Sequence, residues 1–462
     1  MGSMTLAQLM YGFEGTLALY VFVAGCAGML LLAGLMLRLS ILHMLMGVAL
    51  MCSAMTPAVT WDKSSYLPTV LLPLQIHRAE FHLATGALLT LTVVLGGKVD
   101  LRRGGVQGWY LLAIALYAGF LQFFHDDAST ALQTIGFALA TIPCVLFASG
   151  AVASTYDGAI KILRTIMFVS VLWACGSALE FVKNPQNVLT PQGRFFGILA
   201  NPQHAAVLTS SFTMMALWLL MNDRVKRLRI LWLALVAINL IFLIWTGSRT
   251  GALMLIVGLC VVLYRRIGRA VLFLPLIAMM FFGLVYLADE LGIYRNLDRL
   301  VSVENTREGI ITKAIYVLQT NPWIGIGWTE SGFSESSYLL GFAAYGILMF
   351  AIMVVFLMHS LWLTGRLFFW RGRLEPEARN LADVFCAFNA MYFAGAAFEG
   401  FMLGRSAAMQ VMLLLFCGIG VNLQNQIRES AHGAEEGLTD DFAGDQHGSY
   451  GAPAGAYGQE AA

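Results

Sequence analysis

Long apolar stretches broken by short polar turns run through most of this chain, and windows of about 20 residues read as membrane-crossing helices. Thirteen spans are expected, centred near Val23, Val48, Leu89, Ile114, Leu139, Val171, Thr213, Val236, Ile256, Leu276, Met349, Met391 and Leu413. The second and ninth are short. The pattern predicts an all-α polytopic membrane protein with one long loop, Ala288 to Ser337, between the tenth and eleventh spans. A loop of that length in a compact chain is usually functional. Within it, Glu308 to Thr320 places Ile310, Ile311, Ala314, Val317 and Leu318 at helical spacing. That spacing predicts an amphipathic helix, either lying along the membrane surface or packed on the spans beneath.

Composition sharpens the class. The 462 residues are 58% hydrophobic and 12% charged, with a mean hydropathy of +0.73, a balance foreign to soluble domains of ordinary size. A formal net charge of +1 offers no basic surface for nucleic acid. The first apolar run lacks a charged leader, so no cleavable signal peptide is expected. Met1-Gly2-Ser3 reads as a cloning scar, residues 4–427 as the transmembrane domain and 428–462 as a disordered cytoplasmic tail too poor in aliphatic residues to fold alone.

All seven cysteines fall in apolar runs, where a thiol behaves as a small hydrophobe. Neither CxxC nor HExxH occurs, so no metal and no cofactor are expected. A Walker loop is also missing, which excludes ATP hydrolysis by this chain as an energy source.

Basic residues alternate by loop. Arg38, then Lys98 with Arg102 and Arg103, Lys161 with Arg164, Arg224 to Arg229, Arg265 to Arg269, and Arg366 to Arg379 all fall on one side. Loops rich in Lys and Arg stay cytoplasmic, so the N-terminus is expected outside and the C-terminus inside. The opposite side carries three loops of unusual character: Lys183 to His204, the GSRTG turn around Arg249, and Ala288 to Ser337. An arginine at a membrane-embedded turn costs on the order of 2–3 kcal/mol or more on insertion scales, so it needs a partner, a cavity or a ligand. The planar guanidinium fork suits a phosphate or carboxylate; an ion pair or a snorkelling side chain would serve as well. In the run GRFFGILANPQHAA, Arg194 precedes an Asn201–Pro202 turn that can start a helix with anion-favouring amides, and His204 opens the next span. Arg307 stands at the head of the expected loop helix. If these three arginines met, they would form an anionic-ligand pocket at the membrane surface.

Together, GRFFGILANPQHAA, WTGSRTGALML, the stretch from Arg307 through NPWIGIGW, and ESSYLLGFAAYGI resemble the bacterial O-antigen polymerase and ligase superfamily in order and spacing. The resemblance covers roughly residues 165 to 365. It implies a metal-independent type-C glycosyltransferase of the bacterial inner membrane, acting on undecaprenyl-diphosphate-linked sugars with its active site facing the periplasm. Arg194, Arg249 and Arg307 would hold the lipid diphosphate, whose charge grows as the glycosidic bond breaks. Ligases of the superfamily carry a histidine three residues before the tyrosine that opens the span after the long loop. Here the tyrosine is Tyr338 and the matching position is Glu335. Glu335 is therefore the candidate general base for the acceptor hydroxyl, or else an ion-pair partner of one arginine.

That departure resembles a polysaccharide polymerase more than a ligase to lipid A core. The growing glycan would leave undecaprenyl diphosphate for the non-reducing end of a lipid-linked repeat unit, with inversion. A chain-length regulator protein is a partner class the resemblance allows. Arg78, near Glu80, His77 and His82, is a weaker candidate for an acceptor groove, and also reads as a local ion pair. Trp323 and Trp328 bracket a turn whose Gly325 and Gly327 permit tight geometry. Glu399 and Arg405 are expected to face outward. A transporter of an anionic lipid or solute is the competing class, although the chain shows no inverted repeat.

Overall fold

The computed structural model describes residues 39–56, 69–97, 105–126, 128–199, 201–268, 308–331, 336–403 and 407–444. The expected spans at Val23 and Leu276 lie outside them, as do Arg307, Glu335 and Arg405. Among the described residues the longer elements are all helices: α1 (Ile41–Ser53), α2 (Arg78–Leu95), α3 (Gly105–His125), α4 (Ala128–Val152), α5 (Tyr156–Lys183), α6 (Pro202–Asn222), α7 (Arg229–Thr246), α8 (Arg249–Ile267), α9 (Glu308–Thr320), α10 (Ser337–Trp370), α11 (Pro376–Ala396) and α12 (Ala408–Gly444). Among the described residues, eight helices are long and apolar enough to cross a membrane. α1 and the Arg249–Tyr264 part of α8 are the shorter apolar helices, matching the short second and ninth spans. The protein is a polytopic helical membrane protein.

α12 and α6 form the centre. α12 packs against α1, α3, α4 and α11, and α6 packs against α5, α7 and α8. α6 is rich in small hydroxyl residues, and Thr209, Ser210, Ser211 and Thr213 each donate to a carbonyl one turn back, at 2.7 to 3.0 Å. Such bonds satisfy hydroxyls where water is excluded, so the helix can be buried without orphaned polar groups. α7 lies at the periphery and exposes Ile230, Leu233, Ile241 and Ile244. α12 runs on to Gly444, past Arg428, where composition alone predicts disorder. Ala431, Ala434, Glu435 and Glu436 are good helix formers, which accounts for the continuation.

α10 is broken. Gly346 takes φ 79° and ψ −171°, a conformation open to glycine alone. The segment Pro322–Gly327 occupies the break: Ile326 and Gly327 donate to the carbonyls of Ala343 and Ala344 at 2.9 and 3.0 Å, and Ile347 donates to Pro322 O at 2.8 Å. Backbone groups freed by the break are thereby paired inside protein, the condition for irregular backbone at membrane depth. Gly325 and Gly327 have φ of +71° and +84°. A Cβ on Gly325 would meet Ala344 C at 2.5 Å and Ala343 O at 2.6 Å, so these glycines allow close backbone approach as well as a tight turn. α9 packs on α10, burying Ala314 and Val317 and exposing Ile315, Tyr316 and Leu318. This helix packs on a span, with Leu318 outside the buried face.

Contacts divide the bundle into two ends. One end gathers Arg78 on Met55 O and Thr56 Oγ1, His125 on Ile324 O, Glu180 on Leu71 N, Arg194 on Thr246 O, and Ser337 on Glu399 O. The other gathers Arg164 with Asp223, Arg224 with Glu377, and Arg371 with Asp383. These are called the Arg249 end and the Asp223 end. Among the described residues, the second holds Lys161, Arg164, Arg224 to Arg229 and Arg366 to Arg379, which the loop alternation puts on one side.

Candidate functional site

Two sequence-distant motifs meet at the Arg249 end. The strand-like turn of residues 189–195, closed by a bridge between Leu189 and Phe195, docks on the last turn of α7. Phe195 N donates to Trp245 O at 3.1 Å, Trp245 Nε1 donates to Gly193 O at 3.1 Å, and Arg194 Nε donates to Thr246 O at 2.8 Å. Beneath them Phe195 stacks on Phe242 with centroids 4.4 Å apart and on Trp245 at 5.5 Å, and meets Trp173 edge-on at 5.8 Å. Aromatic pairs of this kind are each worth about 0.5–1.5 kcal/mol beyond burial. The phenylalanine after Arg194 thus fixes where the arginine's backbone sits.

Gly247 ends α7 in the left-handed region at φ 60°, Ser248 caps α8, accepting from Gly251 N at 3.3 Å, and Arg249 is the first residue of α8, exposed at the end of the bundle. The GSRTG run therefore reads residue by residue as C-cap, N-cap and helix start. Its second glycine sets the spacing: a Cβ on Gly251 would meet Ala206 Cβ at 2.7 Å, and Ser210 Oγ donates to Gly251 O at 2.6 Å. α6 and α8 consequently start side by side on the same face.

The start of α6 follows the expected pattern. Asn201 caps the helix, its side chain accepting from Gln203 N at 2.8 Å, and Pro202 occupies the first turn with His204. Two adjacent helix N-termini, each equivalent to about half a positive charge, stand beside Arg194 and Arg249. This geometry favours an anion. Arg307 immediately precedes α9, but its position is outside the described residues.

The remaining candidates occupy the neighbouring helices. Tyr338 is half-buried in the first turn of α10, and its hydroxyl, like that of fully buried Tyr392, is buried with no hydrogen-bond partner among the described residues. Ser337 Oγ donates to Glu399 O at 2.6 Å and accepts from Met402 N at 3.1 Å, tying the start of α10 to the buried turn after α11. Glu399 lies at the Arg249 end, in the turn after α11, and is 1% exposed. Arg78 holds the end of α1 through Met55 O at 2.7 Å and Thr56 Oγ1 at 3.0 Å, while Glu80 pairs with His77 at 3.7 Å. The local pair is thus His77 with Glu80, and Arg78 reaches back across the loop. Trp323 is 73% exposed and Trp328 packs on the core.

One group at this end escaped the sequence reading. Glu180, fully buried near the end of α5, accepts from Leu71 N at 2.7 Å and from Asn187 Nδ2 at 3.0 Å. It links the segment before α2 to the loop that carries Arg194. The signal available was a carboxylate inside an otherwise apolar span, which is a functional or structural marker by default.

The fold defines a polytopic helical membrane protein, with Arg194, Arg249 and the starts of α6 and α8 at one end. A family model described as O-Antigen ligase matches residues 232–345. Over that stretch the match supports the O-antigen polymerase and ligase superfamily. The matched stretch takes in α7, the Arg249 turn, α9 and the first part of α10; Arg194, Asn201 and His204 precede it. A comparison with curated proteins gave no match.

Proposed function

We propose that the protein is a polysaccharide polymerase. It transfers a growing glycan from undecaprenyl diphosphate to the non-reducing end of a lipid-linked repeat unit, with inversion and without a metal ion. The observation that carries this reading is the docking of the Arg194 turn on the residues just before Arg249, beside the paired starts of α6 and α8. Guanidinium groups and helix amides fixed before substrate arrives stabilise a diphosphate leaving group as its charge develops, without reorganisation during the step. Arg307, heading α9, completes the donor set in this proposal. Asn201 and His204 line its edge, and Tyr338 and Arg78 flank the acceptor side.

Glu335 is the proposed base. It takes the proton of the attacking hydroxyl as that oxygen bonds to the anomeric carbon and the bond to the diphosphate oxygen breaks, so the electron pair leaves with the diphosphate and no covalent glycosyl-enzyme forms. The Arg249 end faces the periplasm of a bacterial inner membrane in this reading, because the basic loops cluster at the opposite end.

A ligase reading is favoured by the matching family, O-Antigen ligase. Reconstitution with purified lipid-linked repeat units separates the two. Ladders of polymer support the polymerase; transfer to a lipid A core acceptor alone supports the ligase; translocation without bond formation refutes both. Glu335→Gln is expected to leave donor binding intact and slow transfer by about a hundredfold, in the usual range for a lost general base. A collapse of donor affinity would instead make Glu335 part of the diphosphate pocket.

A further inference from the structure

The end of α10 carries a second arrangement of arginines, at the Asp223 end and unrelated to the transfer site. Arg366 lies over the rings of Trp362 and Trp370, 5.5 and 5.3 Å from their centroids, and Arg373 lies over Trp370 at 4.4 Å. One indole holds two guanidinium groups. Arg371, between them in sequence, is treated differently: it stacks on Phe368 at 4.4 Å and pairs with Asp383 at 3.1 Å. Among the described residues, neither Arg366 nor Arg373 has a carboxylate partner or a hydrogen-bond acceptor for its guanidinium.

The surroundings are those of a membrane boundary. Trp362, Trp370 and Phe369 are 56%, 41% and 81% exposed, at the polar end of a long apolar helix. Tryptophan gathers at headgroup depth, and basic groups beside it meet anionic lipid. Two like charges on a single ring repel each other until an anion joins them. Their planar forks, held in place by stacking, match the several oxygens of one phosphate better than flexible ammonium groups would.

We propose that Arg366, Arg373 and Trp370 form a binding site for the phosphate of an anionic glycerophospholipid, with the exposed Trp362 and Phe369 against its glycerol and acyl region. The site is independent of the proposed glycan transfer. It is tested with the full chain in nanodiscs of phosphatidylcholine alone or doped with phosphatidylglycerol, by native mass spectrometry of the retained lipid. The wild-type chain should retain phosphatidylglycerol over phosphatidylcholine by about tenfold, the scale of one well-formed charged contact. Replacing Arg366→Lys together with Arg373→Lys keeps both charges and removes both forks, and should bring the preference down to parity. Trp370→Leu keeps both arginines and removes their platform, and should weaken the preference as well.

Unchanged preference in the double-lysine variant would show diffuse attraction between charge and bilayer and overturn the proposal. So would equal retention of the two lipids by the wild type. Displacement of the bound lipid by inorganic phosphate alone at matched concentration would assign the site to free phosphate, overturning the lipid assignment. Unchanged melting of the variants in phosphatidylcholine confirms that their fold is intact.

Discussion

At the Asp223 end Arg164, Arg224 and Arg371 each meet a carboxylate and Arg379 donates to the Leu374 and Gly372 carbonyls, whereas at the Arg249 end Arg78 donates to Met55 O and Thr56 Oγ1 and Arg194 to Thr246 O. The two kinds of contact do different things. A carboxylate cancels the charge it binds, and in the Arg164–Asp223 pair it does so with two bonds of 3.1 and 2.7 Å, while Trp232 Nε1 and Val225 N also donate to the same carboxylate. A carbonyl orients a guanidinium and leaves its formal charge in place. The carboxylate pairs serve cohesion at the Asp223 end, whereas Arg194, under the proposed function, addresses a substrate phosphate at the other.

Breaking the cohesive pair should have the largest effect. Arg164→Ala would leave the buried Asp223 carboxylate without its guanidinium partner, a loss of about 3–5 kcal/mol for a buried pair. Thermal unfolding of the purified variant should show a lower midpoint and yield; unchanged stability would show that the Asp223 end tolerates loose charges. Gly346→Ala probes the other end through its backbone. A Cβ there would run into Trp323 O at a φ that side chains rarely adopt, so we expect at least about 1–3 kcal/mol of lost stability, read by the same melt. Wild-type melting would mean that the Pro322–Gly327 clamp yields easily.

Arg249→Ala sharpens the comparison from the functional side. Stability should hold, because Arg249 is exposed at the helix start, while polymer formation should drop by on the order of a hundredfold or more. Near-normal polymer would remove Arg249 from the donor site. The smallest effect is expected from the isosteric change at Glu180. Glu180→Gln keeps an acceptor for Leu71 N, and Asn187 can turn its amide, whose Oδ1 is buried without a partner among the described residues, to meet the new amide group. The change should cost under about 1 kcal/mol, whereas Glu180→Ala orphans two buried donors at about 1–3 kcal/mol each. Melting of the two variants side by side checks the order, and equal losses would show that the carboxylate charge itself matters.

Hydropathy made the helices legible, since each expected centre from Val48 to Val236, and those at Ile256, Met349, Met391 and Leu413, falls within a helix. Apolar runs of that length have few alternatives in lipid. The meeting of the GRFFG and WTGSRTG runs was legible through resemblance, but its cause was not. It depends on Phe195 stacking with Phe242 and Trp245, and nothing in an apolar run distinguishes a stacking aromatic from one facing lipid. The Arg164–Asp223 pair spans 59 positions, beyond any local periodicity. Gly346 is hidden for a related reason: the uninterrupted hydropathy of α10 conceals a break stabilised by a segment preceding it in the chain.

The clamp on α10 constrains how this sequence can vary in length. Residues 322 to 327 align with Ala343, Ala344 and Ile347 peptide by peptide, so adding or deleting one residue there would shift every pairing out of step. Insertions in homologous chains should therefore spare the six clamping positions, even where the side chains at those positions differ.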